Sequence, residues 1–138
     1  MKTFMLVFAL VVTAAAGSYA ADDRRIAPDN RTVYVQFQYK TSGGSWQTGT
    51  TSLRGSSSES MICNALASRY PDRRIRVLAV SDGKPVRYLV RYHISRDHKT
   101  WTSGSTVLQN ALTQSMAANQ ISARNPGMYV RIVSMIRQ

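Results

Sequence analysis

The chain matches itself without a gap when it is shifted by 55 positions. Eleven of the 48 aligned pairs from Val33/Tyr88 to Val80/Met135 are identical, against roughly three expected for unrelated segments. The identical pairs are Val35/Val90, Trp46/Trp101, Gly49/Gly104, Thr51/Thr106, Leu53/Leu108, Ser60/Ser115, Met61/Met116, Asn64/Asn119, Arg69/Arg124, Pro71/Pro126 and Arg76/Arg131. The sequence therefore predicts two copies of one unit, repeat 1 over residues 33–80 and repeat 2 over 88–135, joined by a turn at 81–87.

The first twenty residues have the pattern of an export signal. Lys2 precedes an apolar run from Phe4 to Ala16, and Ser18 and Ala20 are small residues at the two positions that a signal peptidase reads. We expect cleavage after Ala20 and a secreted or periplasmic protein; the alternative is a retained N-terminal anchor. Residues 21–31 are predicted to be a disordered lead-in, and residues 32–138 a single pseudo-twofold domain.

Each repeat is predicted to form two strands, a helix and a third strand. Apolar residues alternate with polar ones in the first strand of both copies, from Val33 and from Tyr88. A capping box with Ser56 as N-cap predicts the first helix start, and we expect a β-bulge at Gly49 and at Gly104. The predicted fold is α+β, with tandem duplicated β-β-α-β units forming one mostly antiparallel sheet of about six strands and two helices on one face.

The only cysteine, Cys63, aligns with Ala118 in the repeat. A single cysteine excludes an intramolecular disulfide, and a position that accepts either residue is typical of a small, packed site on a helix. The alternatives are an intermolecular disulfide or a reactive thiol.

The chain is strongly basic, with 18 Lys and Arg residues against seven Asp and Glu residues. Removal of the signal takes away Lys2 alone, which leaves a net charge of +10, and 14 of the remaining cations are arginines. Arginine favours planar, bidentate recognition of phosphate, sulfate or carboxylate. Export excludes intracellular nucleic acid, so we expect an anionic polymer, a lipid headgroup with peripheral membrane contact, or an acidic protein surface as partner. The alternative is an ordinary basic exported protein with scattered arginines.

Strand alternation assigns the partner-binding side chains to the sheet face that the helices leave open. The residues predicted to bind an anionic partner are Gln36, Gln38, Arg76, Arg91, His93 and Arg131. The same alternation predicts that Leu78, Val80, Val133 and Met135 lie on this face. Trp46 and Trp101 follow the two predicted hairpin turns, and each is either a core anchor or a platform for ligand stacking.

Little in the sequence indicates catalysis, so we predict a protein that is not an enzyme and that holds no metal or cofactor. The two histidines belong to no metal-binding motif, and the only glutamate, Glu59, is assigned to the helix cap. Asp97 beside His98 is the least implausible reactive pair. The leading hypothesis is a secreted binding protein with a basic, arginine-rich sheet face. The alternatives are a secreted inhibitor or accessory protein that docks on another protein, and a hydrolase that uses Asp97 and His98.

Overall fold

A computed structural model describes residues 30–56 and 58–138. The predicted signal at 1–20, and most of the predicted lead-in, lie outside these residues. In chain order the elements are β1 (Thr32–Lys40), β2 (Gln47–Arg54), α1 (Glu59–Arg69), β3 (Arg74–Ser81), β4 (Arg87–Ser95), β5 (Thr102–Gln109), α2 (Gln114–Arg124) and β6 (Tyr129–Arg137). The fold is α+β, as predicted. In the described ranges, neither helix has the length and apolar character needed to cross a membrane.

Backbone details recur in the two halves at the same spacing of 55 residues. Every element of the second half begins 55 residues after its counterpart in the first. Three left-handed backbone positions recur as well, and each pair contains one glycine: Gly43/His98, Gly55/Asn110 and Asp72/Gly127. Because a left-handed conformation is unfavourable for residues other than glycine, its recurrence reflects matching turn geometry in the two halves.

The strands form two antiparallel sheets of three strands each, in the orders β2-β1-β3 and β5-β4-β6. The prediction of a single sheet was wrong because the edge of β3 that faces away from β1 is occupied by other groups. The side-chain amides of Asn119 and Gln120 on α2 donate to the carbonyls of Val77 and Leu78, at 2.8 and 2.7 Å. The backbone N–H of Val80 donates to the carbonyl of Asn110 at 2.9 Å. These bonds take the place of a ladder between β3 and β4.

The β-bulges lie in the third strand of each half, so the predicted bulges at Gly49 and Gly104 were wrong. The register between β1 and β3 shifts at Leu78, and the register between β4 and β6 shifts at Val133. Pairing of β1 with β2, and of β4 with β5, is continuous. A bulge changes which face the following residues point to. Val80 therefore points to the core and is buried, contrary to prediction. Leu78, at the bulge itself, is also buried, contrary to prediction, whereas its counterpart Val133 is exposed.

The two strand glycines make room for an aromatic ring on the neighbouring strand. A Cβ at Gly49 would lie 2.8 Å from Cζ of Phe37, and a Cβ at Gly104 would lie 2.7 Å from Cζ of Tyr92. Each glycine is paired directly with its aromatic residue across the ladder. The ring therefore occupies the space that a side chain on the partner strand would fill.

The helices begin two residues later than the predicted capping box implies. Ser58, not Ser56, is the N-cap of α1, and Thr113 is the N-cap of α2, each accepting the backbone N–H three residues later. The Thr113 hydroxyl also donates to Oε2 of Glu59 at 2.7 Å. The Glu59 carboxylate, in the first turn of α1, thus accepts a hydrogen bond from the N-cap of α2. Its negative charge lies near the N-termini of both helices, where it interacts favourably with their dipoles. This bond ties the two halves together.

One cluster of buried side chains draws on both sheets and both helices. Its members are Val33, Val35, Phe37, Leu53, Ile62, Leu66, Val77, Val80, Val90, Leu108, Ala111, Met116, Ala117 and Ile121. Cys63 is half-buried and packs against this cluster. Trp46 and Trp101 are half-buried but are not part of it. The core therefore lies on the sheet faces opposite to the predicted cationic side chains.

Candidate functional site: two arginine-tryptophan clusters

The charged side chains of the six strands are lysines and arginines. The six strands contain eight Lys and Arg residues and no carboxylate. The four carboxylates of the described residues lie at a helix start or in turns, at Glu59, Asp72, Asp82 and Asp97. Asp82 forms a salt bridge of 3.5 Å with Arg31. The charged side chains of the strands are therefore all positive.

The first cluster lies on the outer face of the sheet formed by β1, β2 and β3. Arg76 on β3 donates from Nε and Nη2 to Oε1 of Gln38, at 2.9 and 2.6 Å. Gln38 in turn donates to the hydroxyl of Thr48 on β2 at 3.3 Å. The guanidinium of Arg76 lies 4.1 Å from the centre of the Trp46 ring, and Nζ of Lys40 lies 4.8 Å from it. Two cations thus share one indole ring.

Arg76 is held in one orientation by these contacts. Partial burial lowers the pKa of Arg76, although an arginine keeps its charge at physiological pH. Its two bonds to Gln38 leave the Nη1 hydrogens and one Nη2 hydrogen as donors. The cluster therefore offers a charged group whose geometry is fixed in advance.

The second cluster occupies the matching place on the other sheet. The guanidinium of Arg131 lies 4.5 Å from the centre of the Trp101 ring. His93 on β4 is directly opposite Arg131 on β6. The ring of His98 meets Trp101 at 6.2 Å between centroids and Tyr129 at 3.4 Å. Arg131 is exposed, so its guanidinium is accessible to a ligand while it lies over the indole.

The six residues predicted from the sequence are divided equally between the two sheets. Gln36, Gln38 and Arg76 lie on the first sheet; Arg91, His93 and Arg131 lie on the second. Gln38 contacts Arg76, and His93 is opposite Arg131, so these pairs are brought together.

Two of the six residues lie beside the clusters instead of within them. Gln36 lines a groove of about 420 Å³ with Tyr34 and Ala79. Arg91 lines a groove of about 540 Å³ with His93 and Val133. No contact between Arg91 and Arg131 is observed among the described residues. Each sheet therefore presents its own polar surface with an adjoining groove.

The tryptophans are neither core anchors nor open stacking platforms. Each indole has an arginine on its face, and both members of each pair, Trp46 with Arg76 and Trp101 with Arg131, are identical at the 55-residue spacing. The contact between each tryptophan and its arginine was not predicted from the sequence. Their joint retention in both halves was the signal that could have identified it.

Asp97 has the contacts of a turn residue. Its Oδ1 accepts the backbone N–H groups of Thr100 and Lys99, both at 2.9 Å, and the Ser95 hydroxyl at 3.1 Å. The neighbouring His98 has a left-handed backbone and stacks on Tyr129. The two side chains that were considered as a reactive pair are thus engaged with different partners.

The turn bonds of Asp97 predict a pH-dependent contribution to stability. The backbone N–H bonds from Thr100 and then Lys99 lower the pKa of Asp97 in the folded state. The stabilisation should therefore be complete above the unfolded pKa, about 4, and be lost as the pH falls through the lower folded pKa. We expect the difference in melting temperature between wild type and Asp97→Asn to be constant above about pH 5 and to shrink below about pH 4. A difference that is independent of pH would contradict this role.

The described residues hold no group of three or more His, Cys, Asp or Glu side chains arranged to bind a metal ion. No protein family, curated protein or solved structure matches this chain. The arginine-tryptophan clusters are therefore interpreted from their own chemistry.

Proposed function

We propose that this protein is a secreted or periplasmic, non-enzymatic binding protein whose two basic sheet faces hold an anionic partner. The partner would carry phosphate or sulfate groups on an extended polymer or on lipid headgroups. The observation that carries the proposal is the pair of oriented guanidinium groups, Arg76 on Trp46 and Arg131 on Trp101. Strands with eight cations and no carboxylate support the sign of the partner's charge.

We also propose that the halves are two copies of one β-β-α-β unit, each with its helix on the buried face of its own sheet. The common 55-residue spacing of strand starts, helix caps, bulges and left-handed residues supports this. A repeated unit presents its cluster twice. A partner with repeated charges can therefore engage two sites, which raises its apparent affinity without any new type of contact.

The chemistry of each cluster suits a sulfate or phosphate group. An arginine whose guanidinium lies over an indole ring loses less freedom on binding, because the contact with the ring already restricts it. Its N–H groups point along the plane of the guanidinium and match the oxygens of a tetrahedral anion. Gln38 in the first cluster, and His93 opposite Arg131 in the second, place further hydrogen-bonding groups beside the arginines.

The two clusters differ in how deeply the arginine is buried and in how many hydrogen bonds it makes within the fold. Arg76 is half-buried and bonded to Gln38, so its removal would disturb packing as well as binding. Arg131 and Arg91 are exposed, so their removal should affect binding with little effect on stability. The second sheet therefore gives the cleaner test.

The proposal predicts a specific loss of binding when the arginines of the second sheet are removed. We expect Arg91→Ser/Arg131→Ser to weaken binding to heparin or to lipopolysaccharide by about a hundredfold or more, since two lost charge-assisted hydrogen bonds at about 1.5 kcal/mol each amount to about 3 kcal/mol. The melting temperature should change little. Binding can be measured by titration calorimetry, with salt elution from each resin as a second readout.

The matched control removes the same number of charges from outside the strands. Lys84→Ser/Arg124→Ser takes away two exposed cations, one in the turn after β3 and one at the end of α2. We expect its affinity to fall by less than about threefold. Equal losses in both double variants would show that net charge alone attracts the ligand. Failure of the wild type to bind either ligand at low salt would overturn the proposal.

A further inference from the structure

We infer that this protein associates head to tail with further copies of itself, with α1 of one copy packing on the open edge of β6 in the next. The inference goes beyond anion binding and rests only on the repeated unit proposed above. Its template is an interface within the chain, the one between α2 and β3.

The template interface joins the helix of the second half to a strand of the first. Asn119 and Gln120 on α2 bond the carbonyls along the edge of β3, and Asn110 accepts the Val80 N–H. Gln120 also reaches the carbonyl of Gln109 at 3.1 Å. An edge strand with unsatisfied backbone groups is thereby covered.

The reciprocal interface, between α1 and β6, is not formed by the residues that the structure describes. A twofold relation between the halves would place α1 on the edge of β6 just as α2 lies on β3. Within the described residues, α1 makes no comparable packing against β6, and β6 pairs with β4 along one side alone. The relation between α2 and β3 is therefore head to tail. Within the described part of the chain, it leaves one face of α1 and one edge of β6 exposed.

Comparison of corresponding side chains identifies the exposed surface of α1 and the exposed surface of β6. Met116 on α2 is 0% exposed, whereas its counterpart Met61 on α1 is 45% exposed. Leu78 on β3 is 6% exposed, whereas its counterpart Val133 on β6 is 54% exposed. Both pairs keep their apolar character, so the difference lies in what covers them.

Other apolar residues of β6 extend the same surface. Val77 and Val80 are buried on β3, whereas Ile132 and Met135, 55 residues later, are half-exposed. Both side chains also pack against the core cluster, so only part of each is open to another chain. Partly exposed apolar residues on an edge strand are a typical site for contact with another chain.

Polar groups on α1 complement the edge of β6. Asn64 is identical to Asn119 in the repeat and is exposed, so its amide can donate to the Ile132 carbonyl of a neighbouring copy. By the same relation, the carbonyl of Gly55 would accept the Met135 N–H of a neighbouring copy, as the carbonyl of its counterpart Asn110 accepts the Val80 N–H. Gln120 has no such counterpart, because Ala65 takes its position. The interface between copies should therefore be weaker than its template and should depend on concentration.

We expect a second copy to bind here because α1 of one copy can pack on β6 of another in the same way as α2 packs on β3 within the chain. A head-to-tail contact between two different surfaces does not close on itself in a dimer, so it leads to longer species. Each copy carries a large positive charge, and mutual repulsion opposes association. Salt should therefore strengthen self-association while it weakens binding to heparin. Failure of either proposal is thus distinguishable from failure of the other.

The test uses two variants, each with one of the two surfaces blocked. Met61→Arg blocks the helix and leaves β6 intact; Val133→Arg blocks β6 and leaves the helix intact. We expect the exported wild-type protein to form dimers and longer species in sedimentation velocity over about a hundredfold rise in concentration at high salt. Each variant alone should remain monomeric, with self-association weakened at least about tenfold by a charge at the interface. Their equimolar mixture should form a 1:1 dimer and nothing longer.

Two further variants control for charge and for folding. Val107→Arg adds the same charge at an exposed valine, 37% exposed, on the edge strand β5, and should leave association unchanged. Asn64→Asp, at an exposed helix position, removes the donor without a large change in shape and should weaken association as Met61→Arg does. Melting curves establish that every variant is folded.

Three results would overturn the inference. The first is a wild-type protein that stays monomeric at every concentration and salt. The second is loss of association in Val133→Arg with full association in Met61→Arg, which indicates symmetric pairing of two β6 edges. The third is equal disruption by Val107→Arg, which indicates general charge repulsion.

Discussion

Replacing Gly49 by alanine is expected to destabilise the protein by about 2 kcal/mol, or roughly 10 °C in melting temperature. The added methyl group would lie 2.8 Å from Cζ of Phe37, whose side chain is completely buried. Phe37 is held by the rings of Tyr70 and Tyr39, at 5.5 and 5.9 Å between centroids, so it has no space to withdraw. In an open strand the same change would instead stabilise by about 0.5–1 kcal/mol.

The equivalent substitution in the second half is the matched control. Gly104→Ala would meet Tyr92 just as closely, at 2.7 Å. Tyr92 is only partly buried, so its ring can move outward. We expect Gly104→Ala to change the free energy of unfolding by less than about 0.5 kcal/mol. Equal effects at the two positions, measured by chemical denaturation, would show that burial of the ring does not decide the outcome.

Replacing Glu59 by alanine is expected to cost about 2 kcal/mol, most of it from the neighbouring helix. The Thr113 hydroxyl is 4% exposed and donates to Oε2 of Glu59 at 2.7 Å. Without the carboxylate this buried donor has no acceptor there, and both helix starts lose a favourable negative charge. Glu59→Gln keeps an acceptor oxygen and should cost about half as much.

A double-mutant cycle separates this bond from simple capping. Thr113→Val combined with Glu59→Ala should show a coupling free energy of about 1 kcal/mol, since each change already removes the shared bond. Ser58→Ala, which removes the cap of α1, should be additive with Thr113→Val. Additive effects of Glu59 and Thr113 would contradict a direct bond between the two halves.

The elements could be predicted from the sequence because local signals specify them. Alternation from Val33 and from Tyr88 predicted the buried faces of β1 and β4, and the helices lie within two residues of the expected positions. The exact caps were missed in the first helix because several serines precede Glu59 and each can serve as N-cap. Which serine does so is decided by how the strand before it ends.

Tertiary relations were less accessible to sequence reasoning. The bulge at Leu78 leaves no glycine or other local mark, whereas the strand glycines that suggested a bulge serve to accommodate Phe37 and Tyr92. The split into two sheets follows from side-chain bonds of Asn119 and Gln120, each of which lies 42 residues after the residue whose carbonyl it bonds. Alternation placed Gln38, Arg76, His93 and Arg131 opposite to the core, but it gave no indication that they divide between two sheets or that an indole ring lies against each arginine.

The most direct test of the binding proposal is to follow the indole N–H signals of Trp46 and Trp101 by NMR during titration with a sulfated oligosaccharide. An anion held by Arg76 or Arg131 lies within a few ångströms of the ring beneath it, so the account predicts that both indole signals shift and saturate together with the backbone signals of Gln38 and His93. Saturable binding that moves the signals of Lys84 and Arg124 while both indole signals stay in place would contradict the account.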